Sequence, residues 1–255
     1  MKKIIFGSIL ITAIGIWGCD KSSTLPDRTT IIPSTSAFIK AMHMSPDAPL
    51  FNMYVDSIRA ITVIESAPDV ETGIAFGSVV PSLSNSYSYS IVPGGTHAIS
   101  AKVPSTSTTL AGQTILTKSS SNLAQGKYYT IAVVDSLSKL DAVIVEDDLN
   151  VPDTSKAYFR IANFLVRGSA DVEFTGTDNF TRNGIAFKNV TSFETVPQGS
   201  YKIFLRANGA TAKLDSITSF APVKGKKYTL YSRGVVGQTG STNTKRPLIF
   251  QIQNL

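Results

Sequence analysis

Apolar and polar residues alternate with a period of two along much of the chain. In THAISAKV, Thr96 to Val103, one face carries His97, Ile99, Ala101 and Val103 and the other Ala98, Ser100 and Lys102. SYSYSIV, Ser86 to Val92, alternates serine with tyrosine before Ile91. A two-residue period turns one face of an extended strand toward a core and the other toward water, so these segments are predicted to be half-buried strands. Turn signals (VPGG, AQGK, VPQG, VKGK) recur between such runs, and no amphipathic helical stretch longer than two turns interrupts them. The pattern predicts an all-β chain, a sandwich or barrel with about seven short strands per unit.

The chain also repeats itself. AFIKA from Ala37 is answered by AYFRI from Ala157, and GIAF from Gly73 recurs from Gly184. VPGGTHAISAKV (Val92–Val103) matches VPQGSYKIFLRA (Val196–Ala207), and GKYYTIAV from Gly126 matches GKKYTLYS from Gly225, in the same order. The predicted organisation is a first β-sandwich domain over 37–149, a linker over 150–155 and a second β-sandwich domain over 156–255. Tyr129 and Tyr228 follow a turn at the start of a late strand, where a phenol can pack inward and bond backbone as a tyrosine corner.

HMSPDAPLFNMYVD, IAFGSV, SIVPGGTHAISAKV and GKYYTIAVV resemble the domain-of-unknown-function 4397 family, over nearly all of Ala37 to Leu149. The resemblance implies secreted, immunoglobulin-like β-sandwich domains of bacterial surfaces, often fused to anchors, with no activity or catalytic residue to carry over. The second half lacks the SPDAP turn, reading ANFLVRGSADVEF instead.

Candidate chemistry is sparse. His43, Ser45 and Asp47 lie close in sequence, but residues two apart on a strand are about 6.6 Å from each other, too far for a nucleophile and its base. Ser45-Pro46 is predicted to start a turn that Asp47 caps, and His43 aligns with Asn163, a hydrogen-bonding residue closing a strand end. His97 aligns with Tyr201 on an apolar face and is expected to be a satisfied core histidine. Glu146, Asp147 and Asp148, with Asn150 and Asp153 nearby, are oxygen donors of the kind calcium takes; without a recognised loop spacing they are expected to be a solvated strand end. No cofactor, metal site or catalytic residue is assigned.

The ends change the picture more. Lys2 and Lys3, an apolar stretch from Ile4 to Ile16 and the small residues that follow make a secretory signal over 1–18, too short to span a bilayer as a helix. IWGC resembles the lipobox of bacterial lipoproteins, which implies lipidation at Cys19, the only cysteine. Residues 19–36, rich in Ser, Thr and Pro, read as a flexible tether. The expected protein is therefore exported and held on the membrane, as a bacterial outer-membrane lipoprotein, by its N-terminal lipid.

Charge divides by halves. Residues 37–155 carry 6 basic and 11 acidic side chains, net −5; residues 156–255 carry 14 and 5, net +9. Read as a scattered, solvated surplus, the cations of the second half include Arg160, Arg167, Arg182, Lys188, Lys202, Arg206 and Lys213. The sharper readings are attraction to an anionic lipid or polysaccharide, or docking of the two units by a force that salt would weaken. Together these features predict a non-catalytic, lipid-anchored envelope protein for adhesion or ligand presentation, with a glycan or protein ligand and no nucleic acid. The alternatives are a subunit or carrier of an envelope complex, or a hydrolase with a site between the units.

Overall fold

A computed structural model of the chain describes residues 33–63, 70–81 and 88–254. The expected signal over 1–18, Cys19 and most of the expected tether lie outside the described residues. The first half forms β1 (Ser36–His43), β2 (Asn52–Val55), β3 (Ile58–Ile61), β4 (Val79–Val80), β5 (Ser90–Pro93), β6 (Gly95–Lys102), β7 (Thr114–Leu123), β8 (Tyr128–Val134) and β9 (Asp141–Glu146). The second forms β10 (Ala157–Val166), β11 (Ala170–Gly176), β12 (Phe180–Ile185), β13 (Glu194–Val196), β14 (Tyr201–Ala207), β15 (Lys213–Phe220), β16 (Lys227–Val235) and β17 (Leu248–Gln253). The fold is all-β, with no α-helix among the described residues.

Each half pairs two sheets over its own core. In the first, β4-β1-β8-β9, with β5 also on β1, faces β3-β2-β6-β7; in the second, β13-β10-β16-β17 faces β12-β11-β14-β15. The repeat seen in sequence is thus a repeat of topology, including the parallel pairs β1/β8 and β10/β16 inside otherwise antiparallel sheets. Ile39, Phe51, Met53, Ile99 and Ile131 fill the first core, and Phe159, Val172, Phe174, Ile203 and Leu230 the second. Both tyrosine corners form: the Ala124 N–H donates to Tyr129 Oη at 3.0 Å and the Val223 N–H to Tyr228 Oη at 3.1 Å. The shared GIAF places Gly73 and Gly184 at φ +77° and +66°, which a side chain adopts only with strain, so that the next residue, Ile74 or Ile185, enters the core.

The folded part begins ahead of Ala37. The Thr35 carbonyl accepts the Gly94 N–H at 3.0 Å and the Ser36 carbonyl accepts the Gly126 N–H at 2.7 Å. The segment 150–155 is likewise held: the Asp153 N–H donates to Tyr158 Oη at 3.0 Å, and the Ser155 N–H to the Asp153 carboxylate at 2.9 Å.

β6 is half-buried as expected, whereas the central strands are not. Every residue of β10 is buried, and β1, β8 and β16 are buried along nearly their whole length. The reason is a third apolar cluster, Met42, Met44, Val79, Ala132 and Val134 from the first half against Ala162, Phe164, Tyr231 and Ile252 from the second. On β1 the odd positions Ala37, Ile39 and Ala41 enter the first core, while Met42, and Met44 just past the strand, face the other sandwich. A strand buried on both faces reads as a nearly continuous apolar run, as YYTIAVV and AYFRIANFLV do apart from the buried polar residues Thr130, Arg160 and Asn163. Burying a large apolar side chain is worth about 1.5–3 kcal/mol, against about 0–1 kcal/mol for an exposed ion pair. Apolar burial, joined by the buried Arg160–Asp147 pair, is therefore expected to dominate the docking over exposed ion pairs, and a contact of that kind should loosen little in salt.

Candidate functional site: a cleft between the sandwiches

The sequence candidates resolve mostly into structure. Ser45 Oγ donates to Asp47 Oδ1 at 3.4 Å and accepts the Ala48 N–H at 3.3 Å, so SPDAP is a turn; Asp47 also accepts the Leu137 N–H at 2.8 Å, tying the turn to the β8–β9 loop. His43 is fully buried, donates from Nε2 to the Pro49 carbonyl at 3.1 Å and packs on Phe51. Asn163 does the equivalent work in the second half, donating to the Gly168 and Ile185 carbonyls at 3.1 and 2.7 Å.

Burial lowers the His43 pKa from its ordinary value to about 4. The unfolded chain therefore binds a proton below about pH 6.5 that the folded chain refuses. The neutral-state contribution is complete above that pH and falls away as pH drops toward 4, by about 3 kcal/mol in all. His43→Asn, which installs the second half's solution, is expected to flatten this part of the acid limb in urea denaturation followed from pH 7 to 4.

Two expectations are corrected. His97 is not a core histidine: it is half-buried beside a bulge of β6, and its Nδ1 pairs with Asp56 Oδ2 at 2.7 Å. That contact, with the Ala98 N–H, holds the Asp56 carboxyl below the usual carboxylate range. Tyr201, its sequence counterpart, is the one in a core, with its hydroxyl on the Pro197 carbonyl at 3.0 Å. An imidazole can pair with a carboxylate at a sandwich rim, which favours the rim over burial.

The acidic run is a solvated strand end at Glu146 and Asp148, both exposed, but not at Asp147. Asp147 is buried and accepts from the Arg160 guanidinium, from Tyr89 Oη at 2.9 Å and from Thr130 Oγ1 at 2.6 Å. Lys227 Nζ donates to the Asp148 carbonyl at 2.6 Å, and Glu146 pairs with Lys127 at 2.8 Å. Burial lowers the neighbouring Lys40 to about 8 despite the attraction of Asp147. Arg160 and Lys188 of the supposed solvated surplus are thus partnered across the halves, Lys188 with Asp135 and Asp141 at 3.2 Å each. Among the described residues no cluster of His, Cys, Asp and Glu is arranged to hold a metal.

What sequence reasoning missed is a cleft of about 470 Å³ where loops of both sandwiches meet. Asp47, Asp135 and Lys139 line it from the first half; Arg167, Phe187 and Lys245 line it from the second. Its acids are engaged: Asp47 by the Leu137 N–H, Asp135 by Lys188. Among the described residues, Arg167 alone of the arginines has no ion pair, hydrogen bond or ring contact, and Lys139 and Lys245 have no ion pair. A smaller hollow of about 370 Å³ beside Lys213 and Arg246 lies within the second half, and its cations are occupied, Lys213 over Phe204 and Arg246 with Asp215. The only forward signals of the cleft were the basic surplus and the loss of SPDAP at Arg167.

A family model described as Domain of unknown function (DUF4397) matches residues 37–170. The chain belongs to the DUF4397 family. The match in this DUF4397 chain runs past Leu149, through β10, the strand whose Ala162 and Phe164 cover Met42 and Met44 of the first sandwich. No curated protein matches the chain.

Proposed function

We propose that this DUF4397 protein is a non-catalytic, lipid-anchored envelope protein that uses its docked sandwiches for adhesion or ligand presentation. The observation that carries the reading is the cleft: two halves fused by a buried apolar cluster hold out a shared hollow whose acids are engaged and whose cations lack ion pairs. A ligand seated there would meet a preformed surface, which limits the ordering cost of binding. Both histidines serve structure, His43 in a strand end and His97 in a rim pair, which favours a binding role over acid–base chemistry. The proposed anchor is a lipid on Cys19, since two or more acyl chains hold a protein on a membrane where one gives marginal binding.

The test uses bacteria producing the full chain, its Cys19→Ala variant, and a variant carrying Arg167→Glu with Lys245→Glu. The unchanged chain is expected in the membrane fraction, with cells retained on at least one of a set of arrayed glycans, matrix proteins and envelope components. Cys19→Ala should leave the membrane fraction, and the double variant should stay there while losing retention. Membrane retention of Cys19→Ala would refute the anchor; unchanged retention of cells by the double variant would refute the cleft.

A further inference from the structure

We infer that the ligand of the cleft is an acidic saccharide, bearing carboxylate or sulfate groups, with Arg167 as the residue that selects the charge. The inference rests on the cleft being the binding site. Its volume lies within the range of small-ligand sites. The lining is polar apart from a few groups: Ser136 and Ser138 offer hydroxyls, Gln238 offers its amide N–H groups while its Oε1 accepts from Asn243 at 2.9 Å, and Phe187, partly buried against the apolar cluster with Lys188 over its ring, offers an apolar edge for sugar C–H groups.

Backbone geometry supplies an independent argument. Asp135, Arg167 and Lys188 have φ of +75°, +71° and +69°, in the left-handed region that glycine occupies without strain. The first half shows the unstrained solution, because Gly77 stands where the repeat places Lys188: the Gly77 N–H donates to the His43 carbonyl at 2.7 Å as the Lys188 N–H does to that of Asn163 at 2.8 Å. Two of the three strained residues use their side chains, Lys188 pairing with Asp135 at 3.2 Å. Arg167 bears the same strain with an exposed guanidinium that has no partner among the described residues. Leu110 and Ser120 share this backbone region, so the strain counts only because in Arg167 it coincides with an unpartnered guanidinium lining the cleft, which points to a partner outside the fold. A guanidinium presents paired N–H donors that match carboxylate and sulfate oxygens, and Lys139 and Lys245 add charge without that geometry.

The test measures binding by calorimetry on the full chain carrying Cys19→Ala, which has no lipid to insert and needs no detergent, against an oligogalacturonate, a heparin-derived oligosaccharide, a neutral oligosaccharide of the same length and vesicles rich in phosphatidylglycerol. At least one acidic oligosaccharide is expected to bind, with affinity falling as salt rises, and the neutral one is not. Arg167→Gln should weaken that binding by roughly ten- to a hundredfold. Arg167→Gly should weaken it as much while raising the melting temperature, a combination that a misfolded variant cannot give. Equal binding of acidic and neutral saccharides, abolished by Phe187→Ala but not by Arg167→Gln, would overturn the charge assignment and leave the cleft as a binding site. Acidic binding that survives both Arg167→Gln and Lys245→Gln would overturn the cleft as well. Binding to the vesicles alone would overturn the saccharide in favour of lipid headgroups.

Discussion

Asp147→Ala is expected to lower the stability of the folded pair by about 3–5 kcal/mol, because it leaves Arg160 as a buried charge without its counter-ion. For a body of this size that is a fall in melting temperature of roughly 6–20 °C. The damage extends beyond the pair. Tyr89 and Thr130 lose their acceptor, and Tyr89, whose pKa is raised mainly by burial, stays protonated, so its hydroxyl keeps a donor that must be satisfied. Thermal and urea denaturation measure the loss, and the control is Asp147→Leu combined with Arg160→Met. Removing both charges should recover most of the stability, since a buried ion pair contributes little over well-packed apolar groups. A single-variant loss below about 1 kcal/mol would mean that the pair behaves as a solvated surface bridge.

Phe164→Ala is expected to cost a similar amount, about 3–5 kcal/mol, by opening a cavity in the apolar cluster between the sandwiches. Its mark should be separable from ordinary core damage, because Phe164 belongs to neither sandwich core. The unchanged chain should keep one radius of gyration between about 0.1 and 1 M salt, a range over which the Debye length falls from about 10 to 3 Å. Phe164→Ala should expand, and protease should cut within 150–155 sooner than in the unchanged chain. Expansion of the unchanged chain with salt would restore the electrostatic account of docking.

The parts of the fold that were legible in sequence are those set by local pattern and by the repeat. Period-two alternation marks β6 and β14, the matched GKYYT and GKKYT mark the tyrosine corners, and the alignment of His43 with Asn163 anticipates two side chains doing one job at a strand end. What escaped depends on which surfaces meet. A single sequence does not say whether the second face of β1 turns to water or to another sheet, although AYFRIANFLV hinted at burial on both sides. Asp147 looks like any acid at a strand end until Arg160, on the other half, is brought onto it. The cleft is harder still: the repeat sets Arg167 where the first half has Asp47, but its lining comes from loops of both halves and no spacing links either residue to Lys245.

The apolar cluster between the sandwiches also bears on folding. Wherever the chain folds, Met42, Met44, Val79 and Val134 of the first half stay uncovered until β10, β16 and β17 have paired and docked. Two copies folding side by side would therefore face a competition between closure within a chain and exchange of halves between chains, and the short linker, by keeping a chain's own second half close, favours closure within the chain.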